Sequence, residues 1–390
     1  MEIYLIGLAV ALVGGLLMSR LTRLLHLPAV TAYLVAGLLL GPFFLGRLNV
    51  PGLGFNTLEE VNVLSIVSQT ALGFIAFAMG NEFRLSQLRT IGSRAIIIGI
   101  LQAVITTIVV DVILLLLHLF FPHIISVPCA ITLGAIAAAT APAATLMVVR
   151  QYKADGPMTR LLMLVVALDD AVGLLLFSVS FGIATALSNG QVSVLAVVVE
   201  PIVEILLSVG LGGFMGLLLH WVERFFHSRS KRMSLSVAFV MLTVGLSMLE
   251  FQIGPVHCGF SLLLVCMMTG TIFCNVCPTS EELMERVDGW TMPLNILFFV
   301  ISGAELDLNV LSQPVTLIVG IIYIIARSAG KYCGANLSCR ITKEPKSIVD
   351  HLGITLLPQA GVALGMSVTV AAEFGEEGAM IRNIVLFSVL

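Results

Sequence analysis

The sequence predicts an all-α, polytopic membrane protein. Of its 390 residues, 58% are hydrophobic and only 11% are charged, and the mean hydropathy is +1.07, which is far outside the range of soluble domains. A spanning helix needs about 20 apolar residues, and apolar runs of that length recur along the whole chain. The composition leaves little room for a soluble domain, and no basic tract indicates nucleic-acid binding.

The apolar runs are separated by proline, glycine and charged residues, and together they predict about thirteen transmembrane helices. The predicted spans are 3–24, 29–45, 58–81, 92–118, 126–149, 158–187, 197–221, 233–250, 256–274, 289–304, 314–338, 347–372 and 378 to the end. No basic leader precedes the first run, and Arg20 and Arg23 follow it. It is therefore predicted to be a retained helix rather than a cleaved signal peptide.

The basic residues are distributed unevenly between the predicted loops. If the N-terminus lies outside, the inner loops contain sixteen of the twenty Lys and Arg residues, and the outer loops contain only Arg47 and Arg382. The remaining two, Arg327 and Lys331, lie inside the eleventh predicted helix. Because cytoplasmic loops are enriched in Lys and Arg, this split predicts an outside N-terminus and a cytoplasmic C-terminus.

Two pairs of segments match at one offset of 223 residues. The segment 80–88 resembles 303–311, and Ile131-Thr132-Leu133 matches Ile354-Thr355-Leu356. The shared offset predicts an internal duplication whose units begin seven crossings apart, and so have opposite orientations in the membrane. Inverted repeats of this kind are typical of secondary transporters, which bind substrate near the midplane where the repeats meet.

The duplication predicts a division of the chain into three parts. Residues 1–196 form the first repeat, 197–232 a linking helix and cytoplasmic loop, and 233–390 the second repeat. By the same offset, residue 390 corresponds to residue 167. We therefore expect the sequence to stop within its last helix, so that any cytosolic C-terminal regulatory domain would lie beyond it.

Two predicted helices carry helix-breaking residues in their middles. The fifth contains Thr140-Ala141-Pro142, and the twelfth contains Leu357-Pro358-Gln359-Ala360-Gly361. Proline removes a backbone hydrogen bond, and the freed carbonyls are tolerated in a membrane only where protein or a cavity satisfies them. Interrupted helices in both halves are a pointer to a transport site, although simple proline kinks remain the alternative.

The sixth predicted helix carries two adjacent carboxylates, Asp169 and Asp170, inside an apolar run that extends over 161–187. One ionisable side chain at such a depth costs roughly 2.5–3.5 kcal/mol, so a pair indicates binding of something charged. Neighbours on a helix diverge by about 100°. The two acids therefore cannot face each other as an aspartyl protease would require, but one can face a cavity while the other pairs with a neighbouring helix.

The eleventh predicted helix carries two cations, Arg327 and Lys331, on one face at i and i+4. Counted from the inner ends of their runs, these cations and Asp169 lie at similar depths, roughly 9–15 Å, so acids and bases can meet. Arg stays protonated, whereas a desolvated Lys can lose its proton. A purely structural salt bridge between the two helices is the alternative.

Other chemically suggestive residues receive structural interpretations. Cys274 and Cys277 have metal or redox spacing without a second pair, and the seven histidines form no cluster with ligand spacing. Asp111 is predicted to be solvated or capped near an outer helix end. Glu82 and Glu305 are predicted to mark helix termini.

Three segments resemble the monovalent cation:proton antiporter superfamily, especially its NapA-like and Kef-like bacterial members. They are 139–174 with its Asp pair, Arg327-Ser-Ala-Gly-Lys331, and 356–365 (LLPQAGVALG). The resemblance extends over essentially the whole chain. It implies two crossed discontinuous helices in a core domain, a separate dimerisation domain, an elevator movement, a homodimer, and a bacterial inner-membrane location.

The resemblance also implies roles for particular residues. Asp170 would be the main ligand of the transported cation, with Asp169 and Thr140 beside it. Asp169 would pair with Lys331 or Arg327 and be released when the cation binds. Members with two adjacent acids tend to be electrogenic. Many relatives have Asp where this sequence has Ala141, which leaves ion identity and stoichiometry open.

The expected function is secondary antiport, in which Na⁺, K⁺ or Li⁺ and H⁺ compete for the Asp169 and Asp170 carboxylates as access alternates. Neither enzymatic activity nor a cofactor is expected, and no phosphate-binding loop indicates ATP as energy source. One alternative is a Kef-type, ligand-gated K⁺ efflux system, which would need a cytosolic nucleotide-binding domain. A less favoured alternative is an organic-anion symporter on the same fold.

Overall fold

The computed structural model describes residues 2–24, 29–48, 50, 54–188, 200–249, 251–253, 256–306, 314–359 and 361–389. The helices are α1 (Glu2–Leu24), α2 (Ala29–Leu40), α3 (Leu58–Val63), α4 (Ser65–Gly80), α5 (Leu85–Phe120), α6 (Val127–Ala138), α7 (Pro142–Gln151), α8 (Pro157–Ser188), α9 (Glu200–Glu223), α10 (Arg229–Ser247), α11 (Leu262–Val276), α12 (Ser280–Ala304), α13 (Pro314–Ile341), α14 (Lys346–Thr355) and α15 (Gly361–Val389). Short 3₁₀ turns occupy Leu45–Leu48 and Asn81–Phe83.

Helices dominate because a helix satisfies its backbone hydrogen bonds internally, which a lipid environment requires. Seven of the described helices are long and apolar enough to span a membrane, and four shorter apolar helices accompany them. Several begin at side-chain caps; the Ser126 and Ser261 hydroxyls, for example, accept the backbone N–H groups of Cys129 and Leu264. The predicted helical, polytopic fold is confirmed, while the number thirteen stays a prediction.

The last two predicted spans meet at a kink inside α15. Gly375 has φ 55° and ψ −120° there, between helical segments on either side. This left-handed φ favours glycine. The position lies within the predicted gap between 372 and 378.

The ninth predicted helix starts later than expected. Residues Phe251–Ile253 and Val256–Cys258 form a short antiparallel hairpin in which Ile253 is opposite Val256, and α11 begins only at Leu262. The predicted start at residue 256 was therefore wrong, because a short apolar run does not distinguish a strand from a helix by periodicity. Apart from this hairpin, the regular structure of the described residues is helical.

The long helices pack as two bundles. The scaffold bundle contains α1, α2, α4 and α9–α12, and the site bundle contains α5, α6, α8 and α13–α15; α7 contacts both α2 and α8. Each bundle draws helices from both halves of the sequence. The boundaries of the proposed repeats stay a prediction.

The two sequence matches behind the repeat differ in structural meaning. Glu82 lies in the 3₁₀ turn that follows α4, and Glu305 comes directly after the end of α12, so the prediction that they mark helix termini is confirmed. Ile131-Thr132-Leu133 lies in the middle of α6, whereas Ile354-Thr355-Leu356 lies at the end of α14 and runs past it. This three-residue match therefore does not join equivalent places in the two broken helices.

Candidate functional site

The two broken helices cross in direct contact. The α6–α7 interruption lies between Ala138 and Pro142, and the α14–α15 interruption between Thr355 and Gly361. At the crossing, the backbone N–H of Ala141 donates to the carbonyl of Pro358 at 2.9 Å. Each break thus satisfies a polar backbone group of the other, as a membrane interior requires.

Gln359 makes a second link across the crossing. Its side-chain amide Nε2 donates to the carbonyl of Ile136 in α6 at 3.0 Å, and Ser388 donates to its Oε1 at 2.8 Å. The hydroxyl of Tyr323 lies 3.0 Å from Gln359 Nε2. These contacts hold α6, α13 and both ends of α15 around one buried amide.

Asp169 lies on α8 beside the crossing, and its carboxylate forms an ion pair with Lys331. The distance from Lys331 Nζ to Asp169 Oδ2 is 2.6 Å, and both side chains are 0% exposed. The Thr140 hydroxyl donates to the same oxygen, and the Gln102 amide donates to Oδ1. Three donors therefore surround a carboxylate that has no contact with bulk solvent.

Lys331 has several acceptors besides Asp169. Its ammonium also contacts the Thr140 hydroxyl oxygen at 2.9 Å, Gln102 Oε1 at 3.1 Å, and the carbonyl of Ala138 at the end of α6. A buried ion pair is tolerable only where further hydrogen bonds offset the desolvation of both charges. This site supplies them from α5, α6 and the α6–α7 break.

Two glycines allow Lys331 to reach this position. A Cβ at Gly330 would lie 3.1 Å from the Cα of Thr106, and one at Gly334 would lie 2.9 Å from the carbonyl of Gln102. α13 therefore approaches the backbone of α5 closely, as small residues permit in membrane helix pairs. The approach brings Lys331 within reach of Gln102 and Asp169.

Arg327, one turn earlier on α13, has a different set of partners. It is 3% exposed, and its guanidinium donates to the carbonyl of Leu357 at 2.5 Å and to that of Ala139 at 2.9 Å. Both carbonyls lie in the breaks, just beyond the ends of α14 and α6. Of the two cations weighed from the sequence, the structure thus brings Lys331 to Asp169 and Arg327 to the interrupted backbone.

The remaining candidate residues are placed as follows. Asp170 is a helical residue of α8 whose side chain lies outside the described part of the structure. Ala141 is buried, Pro142 begins α7, and Pro358 is exposed.

Gln102 and Tyr323 were not singled out from the sequence, although both contact candidate residues. Each is a polar side chain within a long apolar helix. Tyr323, Arg327 and Lys331 recur at four-residue spacing and share one face of α13. A search for every intramembrane polar residue, rather than for charges alone, would have found both.

One carboxylate oxygen of Asp111 is neither solvated nor capped by the described residues, in contrast to the prediction. The residue is partly buried, and its Oδ1 occupies the space next to Gly134 of α6, where a Cβ on that glycine would lie 1.7 Å away. This oxygen has no hydrogen-bond partner among the described residues. The error arose because helix ends read from the sequence did not show that α6 packs against this part of α5.

A narrow cleft opens between the two bundles. Pro142, Val166 and Ala167 line one side, and Asp288 and Asn295 of α12 line the other. Val166 and Ala167 precede Asp169 on α8 by less than one turn. The cleft is therefore lined by residues that come just before the Asp pair on α8 and by the first residue of α7 after the α6–α7 break.

Comparisons with solved structures identify the fold. One structure of the sodium proton antiporter MjNhaP1 from Methanocaldococcus jannaschii, at pH 8, matches with a TM-score of 0.71 and 21% identity, over 98% of this chain and 94% of that chain. A second structure of MjNhaP1 matches with a TM-score of 0.72 and 18% identity, over 98% and 92%. The chain has the fold of these structures.

Sequence comparisons agree with the structural match. Na⁺/H⁺ antiporter NhaS4 of Synechocystis sp. is 24% identical over 365 residues, which cover 90% of this chain and 83% of that protein. K⁺ efflux antiporter 5 of Arabidopsis thaliana is 31% identical over 94 residues, which cover 24% and 14%. Residues 8–390 match the family described as sodium/hydrogen exchanger, transmembrane. The chain therefore belongs to the sodium/hydrogen exchanger family, whose members are transporters and not enzymes.

Proposed function

We propose that this protein exchanges Na⁺ for protons across a membrane, and that the two ions compete for the carboxylates of Asp169 and Asp170. Cation:proton antiport follows from family membership. The choice of Na⁺ is supported by the names of two relatives matched over most of the chain, NhaS4 and MjNhaP1. The observation that carries the assignment of the site is the buried Asp169–Lys331 ion pair beside the crossing of two broken helices.

In the arrangement seen here, Lys331 neutralises Asp169 from within the protein. A cation bound by Asp170 and drawn toward Asp169 competes with the ammonium group for the same carboxylate. Lys331 retains acceptors at Thr140 and Gln102 when Asp169 turns to the ion, and a desolvated ammonium can also release its proton. One ion thus replaces another without leaving the carboxylates unneutralised in a low-dielectric interior.

The cleft between the bundles is the proposed inner access route. Its wall includes Asp288 of α12, and an acidic side chain in a narrow cleft raises the local cation concentration. The concentration of Lys and Arg in alternate loops supports a cytoplasmic opening, an outside N-terminus and a cytoplasmic C-terminus. We assign the protein to the bacterial inner membrane on the basis of its resemblance to bacterial antiporters.

Alternating access would come from movement of the site bundle against the scaffold bundle. The ion pair and both breaks lie in helices of the site bundle and α7, while the opposite wall of the cleft belongs to the scaffold bundle. We assign homodimer formation to the scaffold bundle, whose α1 and α9 expose large apolar side chains such as Leu17 and Phe214.

Kef-type K⁺ efflux is the second candidate. The 31% identity to K⁺ efflux antiporter 5 over 94 residues favours it, but that stretch covers only 24% of this chain. Flux measurements with different cations separate the two functions directly.

The decisive test is dye-quench proton flux in proteoliposomes. We expect Asp170→Asn to abolish cation-dependent proton flux while the protein still inserts and elutes as a single species. Asp155→Asn is the matched control, because Asp155 is an exposed residue that pairs with Arg160 at 3.4 Å on the surface. Undiminished flux in Asp170→Asn would overturn the site assignment.

The same vesicles identify the ion and the charge balance. Parallel assays with Na⁺, K⁺ and Li⁺, with and without an imposed potential, should show Na⁺ as the preferred cation. If net charge moves in each cycle, a potential changes the driving force by about 2.3 kcal/mol per charge per 100 mV. Flux with K⁺ alone would favour the efflux candidate.

A further inference from the structure

A cluster of three buried ligand-type side chains lies at one end of the scaffold bundle, on helices that do not carry the ion pair. His220 and Glu223 occupy successive turns at the end of α9, and Cys277 follows the end of α11. One potential ligand atom from each lies within 4.8 Å of the others, and all three side chains are buried. The sequence did not reveal this cluster, because Cys277 is more than fifty residues away from the other two.

Glu223 is the centre of this cluster. Its Oε2 accepts a hydrogen bond from the Cys277 thiol at 2.8 Å, and its Oε1 accepts one from the Thr279 hydroxyl at 3.1 Å. The guanidinium of Arg232 forms an ion pair with the same Oε1 at 3.3 Å. The carboxylate is only 2% exposed, so its charge is balanced by the protein rather than by water.

His220 provides a second, independent indication of a ligand. Its Nε2 lies 2.8 Å from the guanidinium of Arg224. Its Nδ1 is buried and has no hydrogen-bond partner among the described residues, and the residue as a whole is only 9% exposed. Because buried polar atoms are normally paired, an imidazole nitrogen left open on a residue that lies in the same cluster as a thiol and a carboxylate points to a missing partner.

We propose that His220, Glu223 and Cys277 bind a thiophilic divalent cation of the Zn²⁺ type. Zn²⁺ takes nitrogen, sulfur and oxygen ligands with bonds of about 2.0–2.3 Å, which place ligand atoms roughly 3.3–3.8 Å apart in a tetrahedron. The observed spacing within 4.8 Å needs only small side-chain rotations to meet this. Three protein ligands leave a fourth position for water.

Binding exchanges a proton for the metal at sulfur. The Cys277 S–H bond breaks, the sulfur–metal bond forms, and the proton leaves to solvent, while Glu223 and neutral His220 donate lone pairs without redox change. The metal would tie the end of α9 to the segment between α11 and α12. This site shares no residue with the proposed transport site, so either proposal can fail alone.

Two cations oppose metal binding and make the proposal sharper. Arg232 pairs with Glu223, and Arg224 contacts His220, so a bound metal must displace or tolerate both positive charges. This competition predicts that Arg232→Gln tightens binding, because it frees a carboxylate oxygen and removes a repelling charge. If Glu223 were only a structural partner of Arg232, the same substitution would leave metal binding unchanged.

The test is metal binding by the purified full chain in detergent, with Zn²⁺ for stoichiometry and Co²⁺ as a spectroscopic probe. We expect one Zn²⁺ per chain, a thiolate-to-cobalt charge-transfer band, and an increase in melting temperature with Zn²⁺. Loss of even an outer partner of a metal ligand costs about 10- to 100-fold in affinity. Cys277→Ala and His220→Gln should therefore weaken binding at least about tenfold.

Cys266→Ala is the matched control, because Cys266 is another buried cysteine of the same region, on α11. It should retain the cobalt band and the Zn²⁺-dependent melting shift. If Cys277→Ala fails to fold, the cobalt band of the wild-type protein and the Zn²⁺ affinity of Arg232→Gln still test the proposal. Absence of the wild-type band, equal loss in both cysteine variants, or unchanged affinity in Arg232→Gln would each overturn the proposal.

Discussion

Lys331 and Arg327 are buried cations one turn apart on α13, but only Lys331 contacts a carboxylate. Besides the carbonyl of Ala138, Lys331 meets Asp169 and two neutral side chains that can rearrange. Arg327 meets two backbone carbonyls that belong to the two breaks. A carboxylate can exchange its partner for a proton or a metal ion, whereas a backbone carbonyl cannot change its charge.

The difference separates a switchable cation from a fixed one. The ends of α6 and α14 carry partial negative charge from their last carbonyls, and the planar guanidinium of Arg327 reaches both at once. Lys331 presents a compact amino group, which can be protonated and charged or deprotonated and neutral. We therefore expect Arg327 to stabilise the two breaks and Lys331 to take part in ion exchange, although both residues carry the same charge.

The largest expected effect is on stability, from Arg327→Ala. The substitution leaves the carbonyls of Ala139 and Leu357 unsatisfied, at about 1–3 kcal/mol for each. We expect a large decrease in melting temperature in detergent. Arg340→Ala is the control, since Arg340 is exposed near the end of the same helix. Equal stability of the two variants would show that Arg327 does not hold the breaks together.

The next effect comes from the ion pair itself. Lys331→Met leaves a buried carboxylate without its cation, which typically costs about 3–5 kcal/mol. The double variant Asp169→Asn with Lys331→Met removes both charges and should recover much of that stability. Thermal unfolding of both single variants and the double variant measures the coupling. Simple additivity would contradict the direct ion pair, whereas cation-dependent proton flux should be lost in all three.

The smallest effect is expected at Thr140, which touches both members of the pair without carrying charge. Thr140→Val removes a hydrogen bond to Asp169 and an acceptor for Lys331. A net loss of about 0.5–1.5 kcal/mol changes the Na⁺ concentration for half-maximal flux by about two- to tenfold. Thr140→Ser keeps the hydroxyl and should stay close to wild type. If Thr140→Val and Thr140→Ser need the same Na⁺ concentration for half-maximal flux, the Thr140 hydroxyl has no role in ion exchange.

The features that local chemistry dictates were predictable from the sequence. Proline and glycine residues predicted the positions of both helix breaks. The cost of burying charge predicted that Asp169 has a basic partner on the eleventh predicted helix. Depth and spacing could not choose between Lys331 and Arg327, because both lie on one face of α13. The choice depends on how closely Gly330 and Gly334 let α13 approach α5, which is a property of the packed helices.

Other features depend on neighbours distant in sequence. Gln102 and Asp169 are 67 positions apart and meet only in the folded bundle, and Asp111 was misjudged because its contact with Gly134 crosses between helices. The hairpin before α11 was missed because a few apolar residues suit either a strand or a helix. Each case required knowledge of which surfaces come together.

The hydrogen bond from Ala141 to Pro358 constrains how the ions can travel. It fastens the two interruptions to each other, so neither can slide past its counterpart without leaving polar backbone groups bare. The ion-binding residues and the two broken helices should therefore move together as one rigid unit. A chemical cross-link between the α6–α7 break and the α14–α15 break should leave the transport rate unchanged. A cross-link from α8 to α12, which joins the two bundles, should stop transport.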